Sequence, residues 1–205
     1  MEVLQLNVQR SYRVFDELIH HVLERKSKFD ILLLQEPYVN RGKVPSLPGY
    51  VPFHMGPVSK AVVYVRSGLR ALALNAVSDS MLAAVRVEGT MDRGLVFASG
   101  YFRGVEGDPI VEDLSRLSRL CNNVEGDILI GKEANAKATA WHSRFTGGRG
   151  SQLLEQVASH NLEILNTSGF LPTYMGLTGY GDNIDVSLYR SSCNLLQRLS
   201  WRVLD

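Results

Sequence analysis

The sequence predicts a mixed α/β chain, with two packed sheets flanked by helices in a single domain over residues 1–205. Three observations lead there. A strand, an amphipathic helix and a buried strand open the chain. A series of short strand candidates punctuated by Gly, Asn, Ser and Asp follows. The second half then alternates helical and strand-like stretches, with no internal repeat, low-complexity tract or clear linker.

Val3 to Val8 alternates weakly and reads as the first strand. Phe15, Leu18, Ile19, Val22 and Leu23 then recur on one face of a 3.6-residue period, which predicts a helix. Ser11 is its candidate cap, and Arg25 to Lys28 suit the negative end of its dipole. Asp30 to Leu34 is a continuous apolar run, as expected of a strand covered on both faces. The Pro- and Gly-rich segment from Asn40 to Pro57 reads as a long loop. Ala61 to Val65, Leu72 to Ala76, Met81 to Val87 and Leu95 to Phe102 read as an antiparallel meander. Ile110, Leu114, Leu117 and Cys121 mark a second helix, and Asp127 to Gly131 a short buried strand. Gly147 to Gly150 reads as a flexible break before a third helix, Ser151 to His160. Leu162 to Leu165 is a strand candidate, Tyr174 to Asp182 a loop, and Asn183 to Tyr189 a strand with Ile184, Val186 and Leu188 on one face and Asp185 on the other. Leu195 to Leu204 reads as a last strand.

The totals bound the function. Apolar residues make up 45% and charged residues 21%, the balance of a soluble globular protein. No apolar run approaches the ~20 residues of a membrane span, so no membrane partner is expected, and the first residues lack the pattern of a signal peptide. Two cysteines, Cys121 and Cys193, make no disulfide framework and favour a reducing compartment. A net charge of +1 announces no nucleic acid globally. Local basic residues exist all the same: Arg10 and Arg13, Arg41 and Lys43, Lys132 and Lys137, Arg144 and Arg149.

Chemistry concentrates in Gly131 to Ser143, where a buried strand ends in a glycine and then Glu133, Asn135, Lys137, Trp141 and His142. The crevice at the carboxyl ends of strands is the usual place for a site. Glu36, at the end of another buried strand, and Asp185 supply two more carboxylates.

Asn7, Gln35-Glu36-Pro37-Tyr38, Tyr101, Glu133-x-Asn135-Ala136 with Trp141-His142-Ser143, and Ile184-Asp185-Val186 resemble, in order and spacing, the motifs of the endonuclease/exonuclease/phosphatase superfamily. They are most similar to those of the apurinic-like endonuclease domain of non-LTR retrotransposons. The resemblance implies a four-layer α/β sandwich with two mainly antiparallel sheets face to face and helices outside. It implies a divalent-metal-dependent endonuclease, using magnesium or manganese, that nicks double-stranded DNA in the nucleus so that the freed 3′ end primes reverse transcription. A reverse transcriptase in the same polyprotein is the implied partner.

The same resemblance implies roles. Glu36 would be a metal ligand, with Asn7 helping to hold the metal or the phosphate. Tyr101 would donate to a phosphate oxygen, and Asn135 would orient water or phosphate. Glu133 takes the place of the family's aspartate base and is one methylene longer. Lys132 stands where the family has a small residue. Asp185 would orient a histidine in a Ser-Asp-His motif, which does not occur in this sequence, so the chain is expected to lack the domain's final motif. Arg10, Lys137, Arg144, Thr173 and Tyr174 are the candidate DNA contacts, with Arg149 a further phosphate contact; solvated surface is the alternative for the basic ones. Trp141 reads as core packing, and His142 receives no role. Beside the endonuclease stands a second hypothesis, a catalytically impaired DNA-binding or assembly module, motivated by Glu133 and the absent histidine. A small-phosphoester phosphatase is a third.

Overall fold

The computed structural model describes residues 1–24, 29–89, 94–104, 110–167, 172–175, 179–191 and 199–203. The chain forms two compact units, Met1–Tyr101 and Phe102–Asp205. Its fold is the predicted α/β class, with three α-helices among the described residues.

In the first unit, β1 (Val3–Asn7) pairs in parallel with β2 (Ile31–Gln35), and α1 (Tyr12–Glu24) connects them. Ser11 caps α1 as expected, its Oγ accepting from Val14 N at 3.3 Å. β4 (Ala61–Arg66) runs antiparallel to β2, and β3 (Tyr50–Phe53) pairs with β4 at the sheet edge. β5 (Ala71–Ala73), β6 (Leu82–Val87) and β7 (Leu95–Tyr101) form an antiparallel meander. Strands β2 and β4 pack face to face on β6 and β7. Helix α1 covers the outside through Phe15, Leu18 and Val22, with the Phe15 ring 6.3 Å from that of Tyr64. This stacking explains the unbroken apolar run Ile31 to Leu34: both faces of β2 are covered, and each leucine contributes about 1.5–3 kcal/mol by burial.

The second unit is built on β12 (Asp185–Arg190), which pairs antiparallel with β8 (Ile128–Glu133) on one side and β9 (Glu163–Ile164) on the other. Helices α2 (Val111–Asn123) and α3 (Gly148–Ser159) pack together, joined by a Ser118 Oγ to Gln156 Oε1 hydrogen bond of 2.8 Å. Arg190 closes the carboxyl end of α2 by donating to the carbonyls of Cys121, Val124 and Gly126. A short hairpin, β10 (Tyr174–Met175) and β11 (Gly181–Asp182), precedes β12.

Several expectations are corrected. The segment 40–57 contains β3; Pro52 has no N–H to donate, and only an edge strand tolerates that. β4 joins β2 and β3, so the meander proper starts at β5 and ends at β7. The segment 174–182 carries a hairpin in place of a plain loop. Strand β8 extends through Lys132 and Glu133. Gly148 already belongs to α3, so 147–150 is a helix start and not a break. The predicted strand 195–204 falls partly outside the described residues, and its described part, 199–203, has no strand. Arg25 to Lys28 and Cys193 also lie outside them. Cys121 is buried, and burial pushes its thiol up to about 11. No helix among the described residues is long and apolar enough to cross a membrane.

Candidate active site

In the first unit, the parallel ladder sets Asn7 beside Gln35 at the carboxyl ends of β1 and β2. Glu36 follows at once with φ +42°, leaving the ladder in a left-handed turn. Asn7 Oδ1 accepts from Gln9 N at 2.7 Å, a local turn that shapes the start of the next segment. Gln9 and Arg10 are themselves left-handed (φ +53° and +55°), which folds Arg10 back onto Glu36. Arg10 N donates to the Glu36 carbonyl at 2.8 Å, and its guanidinium reaches Glu36 Oε1 at 2.7–2.9 Å. Lys60 Nζ lies 3.7 Å from the same oxygen. Burial draws the Lys60 ammonium below the ordinary lysine range; Arg10 adds to this and Glu36 opposes it. Arg10, expected on DNA, is thus engaged with the candidate metal ligand. Lys60 was not found in the sequence, because only the β2–β4 ladder brings it to Glu36.

The Gln of the Gln35-Glu36-Pro37-Tyr38 motif is structural. Gln35 is fully buried, and its Nε2 donates to Ser99 Oγ at 2.9 Å while Ser99 Oγ donates to Leu34 O at 2.8 Å. Tyr38 packs edge-on against Tyr12 of α1 at 5.4 Å. Tyr101 ends β7, its N–H donating to Met81 O.

In the second unit, β8 and β12 bring Glu133 and Asp185 directly opposite each other across the ladder. Alternation puts Glu133 and Asp185 on one face and Lys132, Ile130 and Val186 on the other. Glu133 is buried. Asp185 Oδ1 is buried with no hydrogen-bond partner among the described residues, while Asp185 N donates to Thr173 Oγ1 at 3.2 Å. Burial pushes the Asp185 carboxyl up to about 7, against the lowering effect of Thr173.

That shift has a pH signature. The folded-state value lies above the ordinary 3.8, so the folded chain holds the proton more tightly. The resulting penalty is absent below about pH 4, grows up to about pH 7 and is complete above it. Asp185→Asn is expected to raise unfolding free energy at pH 8 by about 2 kcal/mol, less than the shift alone implies because the new amide still places one polar atom where Oδ1 has no partner. Urea unfolding at pH 8 and pH 4 checks this; an equal effect at both would refute it.

Thr173 does not reach out as expected. Its Oγ1 accepts from Ile184 N and Asp185 N, and its own N–H donates to Asn183 Oδ1. Asn183 Nδ2 donates to His142 O, and Ser143 Oγ donates to Asn183 O. Asn166 spans the strands by donating to Asp185 O and accepting from Ser187 N. His142 Nε2 bonds Asn166 O at 3.2 Å. Trp141 is fully buried, its Nε1 donating to Ala136 O, which bears out the packing role. Lys137 pairs with Asp182 at 2.9 Å. Burial works against the Asp182 charge, but Lys137 and the Asn183 N–H hold the carboxyl below the usual range. Lys137 also stands 5.3 Å from the Phe145 ring, and Arg144 stands 5.1 Å from the Tyr180 ring. Phe145, Tyr174 and Tyr180 are exposed.

Lys132 belongs to no basic rim. It is 1% exposed, with Nζ 3.1 Å from the centroid of the Phe102 ring. Desolvation drives its pKa well below the ordinary lysine value, and Asp113 on α2 opposes that. Asp113 is itself pushed up by burial, against Arg103 N, Arg116, Lys132 and Arg149. The period-two series Ile128, Ile130, Lys132 was the available signal.

Asn7 and Glu36 offer hard oxygen donors at neighbouring strand ends. No group of three or more His, Cys, Asp or Glu among the described residues forms a cage. Such a donor set fits a cation like magnesium, which keeps waters and is completed by substrate phosphate.

The model of the endonuclease-reverse transcriptase family matches residues 95–203. The structure is similar to the endonuclease domain of TRAS1, a telomere-specific non-LTR retrotransposon, with a TM-score of 0.78 and 28% identity over 91% of this chain and 83% of that one. It is also similar in fold to the 3′ phosphatase NExo from Neisseria, bound to a product DNA hairpin (TM-score 0.65, 18% identity, 94% of this chain and 87% of that one). A third likeness in fold is to the human Nocturnin catalytic domain (TM-score 0.57, 14% identity, 91% and 81%). No curated protein matches the sequence. The ordered motifs, the fold and the match over residues 95–203 agree: this chain belongs to the endonuclease-reverse transcriptase family.

Proposed function

We propose that this chain is the divalent-metal-dependent endonuclease domain of a non-LTR retrotransposon, nicking double-stranded DNA in the nucleus so that the freed 3′ end primes a reverse transcriptase of the same polyprotein. The observation that carries this reading is the cross-strand pairing of Glu133 with Asp185, with Asn135 two residues beyond Glu133, in a chain of this family. Glu36 and Asn7 would hold magnesium or manganese. The metal, when bound, neutralises charge on the phosphate and acidifies water.

The side chains supply the rest. Glu133 takes the proton of the attacking water. Asn135 fixes that water or the phosphate through its amide. Tyr101 donates its hydroxyl to a phosphate oxygen. Asp185, about half protonated at neutral pH, can donate a hydrogen bond as well as accept one, in keeping with the burial of its carboxyl. Arg10, Lys137, Arg144 and Tyr174 are the side chains left to contact the duplex, with Thr173 turned onto its own strand.

Nicking of supercoiled plasmid by the 205-residue chain tests the proposal. Open circles should form with magnesium and not after chelation. Glu133→Asp should raise the rate by about 10-fold or more, since a misplacement near 1 Å costs on the order of 10²-fold. Salt-sensitive duplex binding with no nicking by either form would establish the DNA-binding module instead. Absence of binding at low salt would sink both readings.

A further inference from the structure

Arg149 reads from the sequence as a phosphate contact, but its guanidinium is turned onto the chain itself. From the first turn of α3, Nε donates to Asn135 O at 3.2 Å and Nη2 donates to Arg103 O at 2.6 Å. Asn135 has φ +45°, a left-handed backbone that costs on the order of 1 kcal/mol and persists only where its surroundings hold it. The Asn135 side chain grips the same segment, Nδ2 donating to Phe102 O at 2.8 Å. Arg149 and the Asn135 amide therefore hold the consecutive carbonyls of Phe102 and Arg103. The space beside the amide is closed as well, because a Cβ on Gly104 would stand 3.0 Å from Asn135 Cγ.

We propose that Arg149 is a positioning residue that aims the Asn135 amide by bracing its backbone carbonyl and the adjoining Phe102–Arg103 segment. The inference rests on the role given to Asn135 above. Arginine suits the task because its planar fork offers several N–H donors at fixed angles, so two carbonyls can be held at once. Lysine is a point charge on a flexible stem and cannot reproduce that geometry. With one amide N–H committed to Phe102 O, Asn135 keeps Oδ1 as an acceptor and its second N–H as a donor.

The test uses the 205-residue chain. Arg149→Met should lower kcat for nicking by about 10²-fold, with the duplex Kd within about twofold and its salt dependence unchanged. Arg149→Lys, which keeps the charge and loses the fork, should show the same kcat loss. Added to Asn135→Ala, Arg149→Met should cost less than about threefold more, because the two act as a unit. A weakened Kd, a salt slope reduced by about one and rescue by lysine would make Arg149 a phosphate contact and overturn the proposal. NMR of the Asn135 side-chain amide serves whether or not the chain nicks. Its Nδ2 protons should be protected in the parent chain and lose that protection in Arg149→Lys, with the rest of the spectrum retained. An unchanged amide resonance refutes the positioning role, whereas a parent chain that does not nick refutes only the function it rests on.

Discussion

Glu36→Gln is expected to reduce magnesium-supported nicking by about 10³-fold, equivalent to roughly 4 kcal/mol of transition-state stabilisation. The substitution keeps the shape of the side chain and removes its charge. Arg10 and Lys60, which now face a carboxylate at 2.7 and 3.7 Å, would face a neutral amide. The local field then turns positive, so duplex affinity should hold or tighten while turnover falls. Plasmid nicking and fluorescence anisotropy, measured on the same preparations over a magnesium series, give both quantities. Retention of activity within tenfold would remove Glu36 from the metal site. A parallel loss of binding and turnover would instead place it among the DNA contacts.

Gly150→Ala is expected to destabilise the chain by about 3 kcal/mol, the upper range for forcing atoms into packed space. A Cβ at this position would stand 1.9 Å from the Lys137 carbonyl oxygen and 2.8 Å from its carbon. Backbone occupies that space, so no side-chain rotation relieves the overlap. Gly147 N also donates to Lys137 O, so the start of α3 and the segment around Lys137 touch at the main chain. Either the loop or the helix must move. Thermal unfolding should drop by roughly 6–12 °C for a chain of this size. A change under 2 °C would mean that the contact between α3 and residues 137–138 yields easily.

Much of the fold was legible because its signals are local. The run Ile31 to Leu34 announces a strand covered on both sides, and the spacing of Phe15, Leu18 and Val22 announces α1. Strand β3 was hidden by Pro48, Gly49 and Pro52, residues that argue for a loop until an edge position is allowed for. The hairpin β10–β11 is only two residues deep on each side, too short for any periodicity. Among the candidate residues, Glu36, Glu133, Asn135 and Asp185 stand out as polar residues at strand ends. Lys60, Asp182, Asn183 and Asn166 do not, because their partners lie at distant positions in the chain and are set by ladder register. Arg149 and Lys132 were misread for one reason: a basic side chain was assumed to face solvent, whereas α3 turns one onto carbonyls and strand alternation turns the other into the core.

The Gln35–Ser99 hydrogen bond acts as a spacer gauge between the two sheets of the first unit. Apolar contact alone would let the stacked strands slide past each other, since Ile31 to Leu34 on β2 and Val96 to Ala98 on β7 are unbroken apolar runs. The buried amide and hydroxyl allow no such slippage, because a shifted strand would leave them without a partner at a cost of about 1–3 kcal/mol each. Glu36 lies one residue past Gln35, and Tyr101 two past Ser99. The spacing between the proposed metal ligand and the proposed phosphate donor is thereby set by the polar contacts of Ser99 with Gln35 and Leu34. An apolar replacement of that pair can leave the layers as stable as before while letting the two working ends drift apart.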